Sequence, residues 1–487
     1  MKALPIRVLV IVACLGLAYL FVGCDTKNVS NDASIPVAAL TATPTTGTAV
    51  LHVALDASAS AVTGGTITQY EWDFDSDGAY DYTSTTEDTT DFYYYTPGTY
   101  TVTVRVTSST GYTDVTSETI EVTAGTTWQL STPVAGRGVT MANVFDVGGN
   151  PALVFVEPGD GSEYYSRLLY MRASDATGAA WDAEVELHQL TDFKETFVSF
   201  ALFFLGGNPA IIFATNYISA SGGQTSCWAT YATEATGTAW SAPVATGAMG
   251  ALVGMPVDLS GRTGFVAANT GVGGPYCRYC VAADTTGDTW NTPTEFDDSR
   301  GWYPSLKVID GRPAFSLSMD LTEPLGLYYL RASDEYGAQW PTTLTAVDTT
   351  IDTEENTYPL GQSMVMAGTV PAIAYTNGNQ QQLRFVRASD ATGSAWGTSE
   401  VLAASAGSAS ATLLDGRPIV VYLNTDLTES HFIAANNAAG TSWGFAVAIE
   451  NTEYVPGSLT AIGNNLAYCY HLDDGSGGGD VRLAMLR

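Results

Sequence analysis

Residues 172–181 read RASDATGAAW, and residues 387–396 read RASDATGSAW. Two near-identical decapeptides so far apart mark a repeat, and the chain supplies its other members. With the glycine as anchor they are MRASDATGAAW (171–181), TYATEATGTAW (230–240), CVAADTTGDTW (280–290), LRASDEYGAQW (330–340), VRASDATGSAW (386–396) and IAANNAAGTSW (433–443). Gly178, Gly237, Gly287, Gly337, Gly393 and Gly440 recur at intervals of 59, 50, 50, 56 and 47. A tryptophan stands three residues after each: Trp181, Trp240, Trp290, Trp340, Trp396 and Trp443. A second shared segment precedes each copy, as in GGNPALVFV (148–156), GGNPAIIFA (206–214) and DGRPIVVYL (415–423). Units of about 50 residues built only from short strands and turns predict propeller blades.

The count of blades follows from the ends. Seven upstream segments occur, the last being GNNLAYCYH (463–471), and the final strand VRLAMLR (481–487) stops before its glycine and tryptophan. The missing outer strand stands at the other end, in GTTWQLSTPV (125–134), where Trp128 has no preceding strands of its own. This predicts one seven-bladed β-propeller over 126–487, with 126–134 as the latch that closes the ring and hides its free edges. Within a blade the decapeptide falls between the third and fourth strands. Its Asp or Asn can hydrogen-bond its own turn, its glycine takes a dihedral other residues avoid, and its indole packs between blades. A catalytic residue is needed once and a folding unit many times, so repetition assigns these residues a structural role. The motif resembles the Asp-box hairpin of sialidase-like propellers, although Asp175 and Gly178 are three apart where that family has two, and Ser174 adjoins the Asp. The resemblance implies a turn and nothing more.

Acidic residues outnumber basic ones 50 to 19 in the 487-residue chain, for a net charge of -31. That field repels a phosphate backbone and argues against nucleic-acid partners. At the N-terminus, Met1-Lys2 and Arg7 precede the apolar run LVIVACLGLAYLFVG (9–23), which ends at Cys24. This is export-signal architecture, shorter than the roughly 20 apolar residues of a spanning helix. FVGC (21–24) resembles a bacterial lipoprotein signal. The resemblance implies removal of residues 1–23 and a lipid on Cys24, with simple cleavage or an uncleaved anchor as the competing readings. The mature protein is then expected outside the cytoplasm, at the cell surface or in the periplasm, held to the membrane by its lipid through a polar tether (24–36).

From 37 to 124 the chain alternates. AVLHVALDAS (49–58), TQYEWDF (68–74), TYTVTVRVTS (99–108) and SETIEVTA (117–124) predict a small antiparallel sandwich with Val102, Val104 and Val106 on one face. YEWDFDSDG (70–78) followed by YYYTPGTYTVTVRV (93–106) is similar to the PKD family of immunoglobulin-like domains. That similarity implies a spacer or interaction module. The expected fold class is therefore all-β, a small immunoglobulin-like sandwich followed by a seven-bladed propeller. In the inserted loop, Asp73, Asp75 and Asp77 alternate, Gly78 permits a sharp turn and Asp81 follows. Carboxylates gathered by such a turn suit calcium. The competing reading is an acidic, solvated turn whose Asp side chains bond nearby backbone N–H groups.

No catalytic residue emerges. A sialidase-type site needs clustered arginines, a tyrosine with a carboxylate partner and an acid. Arg172, Arg331 and Arg387 instead occupy one repeat position in different blades, as Arg312 and Arg417 occupy another. Cys227 and Cys277 are equivalent positions of neighbouring blades, open to a disulfide or to two buried thiols. The connections between second and third strands (157–167, 215–226, 269–276, 318–326 and 471–480) share one rim, where recognition is expected. The expected function is a non-catalytic binding or adhesion propeller, not an enzyme, presented by the PKD-like spacer to a surface protein or polysaccharide. The alternative is a glycan-acting hydrolase or lyase of sialidase-like architecture.

Overall fold

The computed structural model describes residues 35–486 apart from 87, 125–127, 160–164, 220–221, 269–276, 297–300, 320–325, 351–361, 378–380, 425–428, 451–457, 464 and 474–478. The first domain is built by strands of period two. Along Gly98–Ser108, Val102, Val104 and Val106 are fully buried while their neighbours face outward. One sheet orders the strands Thr46–Thr48, Thr113–Thr123, Gly98–Ser108, Ile67–Asp73 and Tyr82–Ser84, and a second orders Thr41–Thr43, Leu51–Asp56 and Thr89–Tyr94. Trp72, Phe74, Phe92 and Tyr94 fill the space between them. The expected purely antiparallel sandwich is corrected at one pair, because Thr46–Thr48 runs parallel to Thr113–Thr123. The chain leaves Thr41–Thr43 in one sheet and crosses to the edge of the other, which fixes that direction.

Beyond residue 127 the described residues form seven further sheets of mainly antiparallel four-stranded type. The first comprises Met141–Val147, Asn150–Glu157, Arg167–Arg172 and Val185–Gln189, and the second to sixth span 195–245, 252–296, 301–348, 362–403 and 408–450. In the third sheet the innermost strand is broken into Leu252–Val253 and Val257–Leu259, which both pair with Arg262–Ala268. The last sheet joins Ser458–Ile462, Asn465–Asp473 and Gly479–Leu486 to an outer strand from far upstream, Trp128–Val139. Trp128 lies opposite Leu486, and Ser131 opposite Leu483. These repeated sheets form a propeller-like region.

Packing between sheets is continuous. Each sheet shares an apolar cluster with the next, and Val144, Phe155 and Met171 of the first share one with Ile462, Val481 and Leu483 of the last. Serines on innermost strands add polar ties. Ser458 Oγ accepts from Val144 N at 2.7 Å, and Ser305 Oγ accepts from Met364 N at 2.9 Å.

The repeated decapeptide is an inter-sheet lock. Its acid caps its own turn: Asp390 Oδ1 accepts from Thr392 N and Ser394 N, and Oδ2 from Ala395 N. The glycine follows at positive φ, 73° at Gly393, and the indole folds back so that Trp396 Nε1 donates to Gly393 O at 3.0 Å. The same indole-to-glycine bond recurs at Trp181, Trp240, Trp290 and Trp340. An aromatic ring from the preceding sheet seats under the glycine. Tyr329 donates its hydroxyl to Thr392 O at 2.9 Å and packs edge-on against Trp396. Tyr170 with Trp240 and Tyr279 with Trp340 repeat this arrangement, and Phe385 takes the tyrosine's place beside Trp443. At Gly178, Leu483 of the last sheet fills that position.

The sandwich is not a free spacer. In Thr89–Tyr94 and beyond, Phe92 and Tyr94 point into their own domain, while Tyr93 and Tyr95 point onto the sixth and seventh sheets. Tyr95 packs edge-on against Phe432 with centroids 5.1 Å apart, and the Arg417 guanidinium lies 3.6 Å from the Tyr93 ring centroid. Phe445 reaches back to Phe92 at 5.1 Å. Trp128 joins the same cluster, so the domain sits against the outer strand of the last sheet.

Candidate functional site

A network of charged side chains lies on the flank between the last sheet and the first. Glu157 ends the second strand of the first sheet and Arg167 opens the third, directly opposite in register, so antiparallel pairing alone brings them together. Arg137, from the strand Trp128–Val139, reaches across from the last sheet. Glu157 accepts from Arg137 Nε at 2.7 Å and from Arg167 Nε at 2.9 Å, with Arg167 Nη2 closer still. Arg137 also binds Glu184, and Arg167 Nη1 lies 3.5 Å from Glu186. Burial pushes the Glu157 carboxyl up, but the bonds from the two arginines outweigh it and hold it below its ordinary value. The Arg137 and Arg167 side chains are partly exposed, at 24% and 36%. Two residues before Arg167, Tyr165 stacks on the exposed Phe193 at 4.2 Å. Three carboxylates and two arginines thus share one surface, while Tyr165 packs on the cluster between the first and second sheets. Sequence reasoning placed 157–167 on a recognition rim without singling out these residues; the signal was a Glu and an Arg flanking one insertion. Of the connections on that rim, residues 160–164, 220–221, 269–276, 320–325 and 474–478 lie outside the described residues.

The repeat-equivalent arginines do not converge. Arg172 Nε donates to Val147 O, and Arg331 Nε to Ile309 O, both at 2.9 Å, each tying a third strand to its own sheet's first turn. Arg417 Nη1 donates to Ala435 O beneath Tyr93. A tyrosine–carboxylate–arginine set does exist where Tyr375 donates to Asp348 and Arg384 Nη1 lies 3.6 Å from that carboxylate. Tyr375 is 0% exposed, so this set ties the fourth sheet to the fifth and offers no reacting group to a substrate. Cys227, Cys277, Cys280 and Cys469 are free, buried thiols, and burial pushes those of Cys227 and Cys277 up to about 12.

In the sandwich loop, oxygens of Asp73, Asp75 and Asp81 lie within 4.8 Å of one another and could hold a metal ion. Asp77 is not in that group; its Oδ1 accepts from Ala79 N at 2.7 Å. Part of the carboxylate capacity goes to the turn itself, since Asp73 accepts from Ser76 N and Gly78 N, and Asp81 from Phe74 N. Burial, followed by the nearby Asp75, Asp73 and Asp77, pushes the Asp81 carboxyl up to about 6. No cationic side chain offsets that repulsion among the described contacts of the loop, so a hard cation suits the donor set. Cys24 and the whole apolar run lie outside the described residues. Among those described, no helix is long and apolar enough to cross a membrane.

Residues 33–124 match the PKD domain family. No curated protein sequence matches the chain. Among solved structures, a mutant of the NanB sialidase from Streptococcus pneumoniae is 10% identical, covering 94% of this chain and 93% of that one, with a TM-score of 0.42. The phage phi92 endosialidase is 11% identical over 76% of this chain and 71% of that one, with a TM-score of 0.41. Trypanosoma rangeli sialidase with difluorosialic acid is 11% identical at a TM-score of 0.39, and the matched 64% of this chain spans 53% of that chain. At such identities and scores these structures assign no residue and no substrate. The expectation of a non-catalytic binding module, and of a protein that is not an enzyme, is nonetheless overturned. The flank expected to be a plain recognition rim carries a convergent Arg–Glu network.

Proposed function

We propose that the protein is an extracytoplasmic, glycan-acting hydrolase or lyase whose site is the Arg137–Glu157–Arg167 flank. The observation that carries this reading is Glu157, a carboxylate held below its ordinary pKa by two partly exposed arginines. Glycan cleavage needs a carboxylate as base or nucleophile and a second carboxyl group nearby. Glu157 fills the first role, and Glu184 or Glu186 the second. The partly exposed arginines suit the acidic group of an anionic sugar. The seven sheets are read as seven blades of one ring over 126–487, closed by 126–134; the pairing of Trp128 with Leu486 and the shared cluster of the last and first sheets support it. The PKD-like domain (37–124) is read as a fixed platform. A calcium ion on Asp73, Asp75 and Asp81, and a lipid on Cys24 after loss of 1–23, complete the proposal. Turnover is tested with acidic and neutral polysaccharides and aryl glycosides, assayed by reducing ends and by unsaturated products. Glu157→Gln should lower turnover at least 100-fold with little change in melting temperature. Unchanged turnover in that variant removes the flank as the site, and no turnover of any substrate removes the activity.

A further inference from the structure

A groove of about 470 Å³ lies between the fifth and sixth sheets, at the end opposite the second-to-third strand connections. Arg387 and Glu400 face into it, with Ser389, Thr398 and Thr441 along its walls and Phe385 at its base. The repeat supplies the reference for Arg387. Its counterparts Arg172 and Arg331 each donate Nε to a carbonyl of their own sheet's first turn. Arg387 does not: its Nε is buried and has no hydrogen-bond partner. Burial pushes the Glu400 carboxyl up, while Arg387 and Trp443 pull it the other way. The two side chains nevertheless do not close into an ion pair. The buried Nε of Arg387 is costly to leave unpaired, and Glu400 stands exposed at the groove, open to a ligand.

The groove itself is a product of the repeat, because a similar one of about 400 Å³ lies between the second and third sheets. There the position of Arg387 is taken by Tyr231, whose hydroxyl already donates to Thr263 Oγ1 at 3.3 Å, and no carboxylate lines the walls. The Arg387–Glu400 pair therefore distinguishes the groove between the fifth and sixth sheets. An anion would meet Arg387 and be repelled by Glu400, and a cation the reverse. Two adjacent hydroxyl groups satisfy both, one accepting from the guanidinium and one donating to the carboxylate. The volume suits one or two sugar rings. We propose that the Arg387–Glu400 groove is a carbohydrate subsite that holds a single sugar residue through a vicinal diol. It is remote from Glu157, so it anchors a glycan rather than cleaving it, and it stands whether or not the flank is catalytic.

Saturation-transfer NMR on the chain from residue 25 onward, with methyl glycosides of glucose, galactose and mannose, tests this directly. At least one glycoside should bind, and Arg387→Met and Glu400→Gln should each weaken it at least tenfold. Glu157→Gln should leave it unchanged, which separates this subsite from the proposed catalytic flank. Thr441→Trp fills the exposed mouth without touching the charge pair and should block binding in a folded protein. Absence of binding by all three glycosides, or binding that survives Thr441→Trp, overturns the proposal.

Discussion

Gly393→Ala tests the inter-sheet lock most sharply, because the chain contains its own control. Gly393 and Gly416 have nearly the same φ, 73° and 74°. An added Cβ therefore costs each about 1–2 kcal/mol for the left-handed conformation alone. Around Gly416 that Cβ meets nothing within 4 Å, whereas at Gly393 it falls 2.7 Å from Tyr329 Cε1 and 2.8 Å from Cζ. The Tyr329 ring cannot swing away cheaply. It is 2% exposed, its hydroxyl is committed to Thr392 O, and its centroid is 5.3 Å from that of Trp396. Overpacking of this kind adds about 1–3 kcal/mol. Gly393→Ala should thus lose about 2–5 kcal/mol and Gly416→Ala about 1–2. Urea unfolding followed by tryptophan fluorescence reads both values, with Trp396 reporting from the site itself. Shrinking the ring with Tyr329→Leu should recover part of the loss in the double mutant, a coupling of about 1 kcal/mol. Equal destabilisation by the two alanines, with an additive double mutant, would refute the lock.

Two further outcomes bear on the sandwich domain. Asp81 has a raised carboxyl pKa, near 6, so its contribution to stability is fully present below the unfolded value near 3.8 and is lost as pH rises through about 6. Without metal, the domain should be more stable at pH 5 than at pH 7, by about 1 kcal/mol after allowance for solvent screening. Millimolar calcium should raise the melting temperature at pH 7 and barely at pH 5, and Asp81→Asn should abolish the difference; a calcium response independent of pH contradicts the assignment of Asp81 as a ligand. At the domain junction, the double variant Tyr95→Ala/Arg417→Ala removes the edge-on contact with Phe432 and the cation over Tyr93. Calorimetry should resolve its unfolding into two transitions where the unmodified protein shows one, and two transitions in both would mean that the domains are not energetically coupled.

What the sequence determined by itself is what recurs locally. A glycine three residues before a tryptophan, with an acid three residues before the glycine, specifies one turn wherever it falls, because the capping bonds of Asp390 stay within five residues. The alternation of Val102, Val104 and Val106 was equally legible, but the sequence does not say what Tyr93 and Tyr95, which face out of the sandwich, meet. Only the tertiary structure decides that, by setting Arg417 and Phe432 opposite them from more than three hundred residues away. The same limit hid Arg137 with Glu157 and Arg167, whose meeting depends on the last sheet packing against the first. It also hid the difference between Arg387 and its counterparts, which share a motif and differ only in whether the side chain is spent on its own turn. Repetition encodes the scaffold because every copy must solve the same local problem. A site arises where non-equivalent copies are brought face to face, and that is a property of the packed sheets alone.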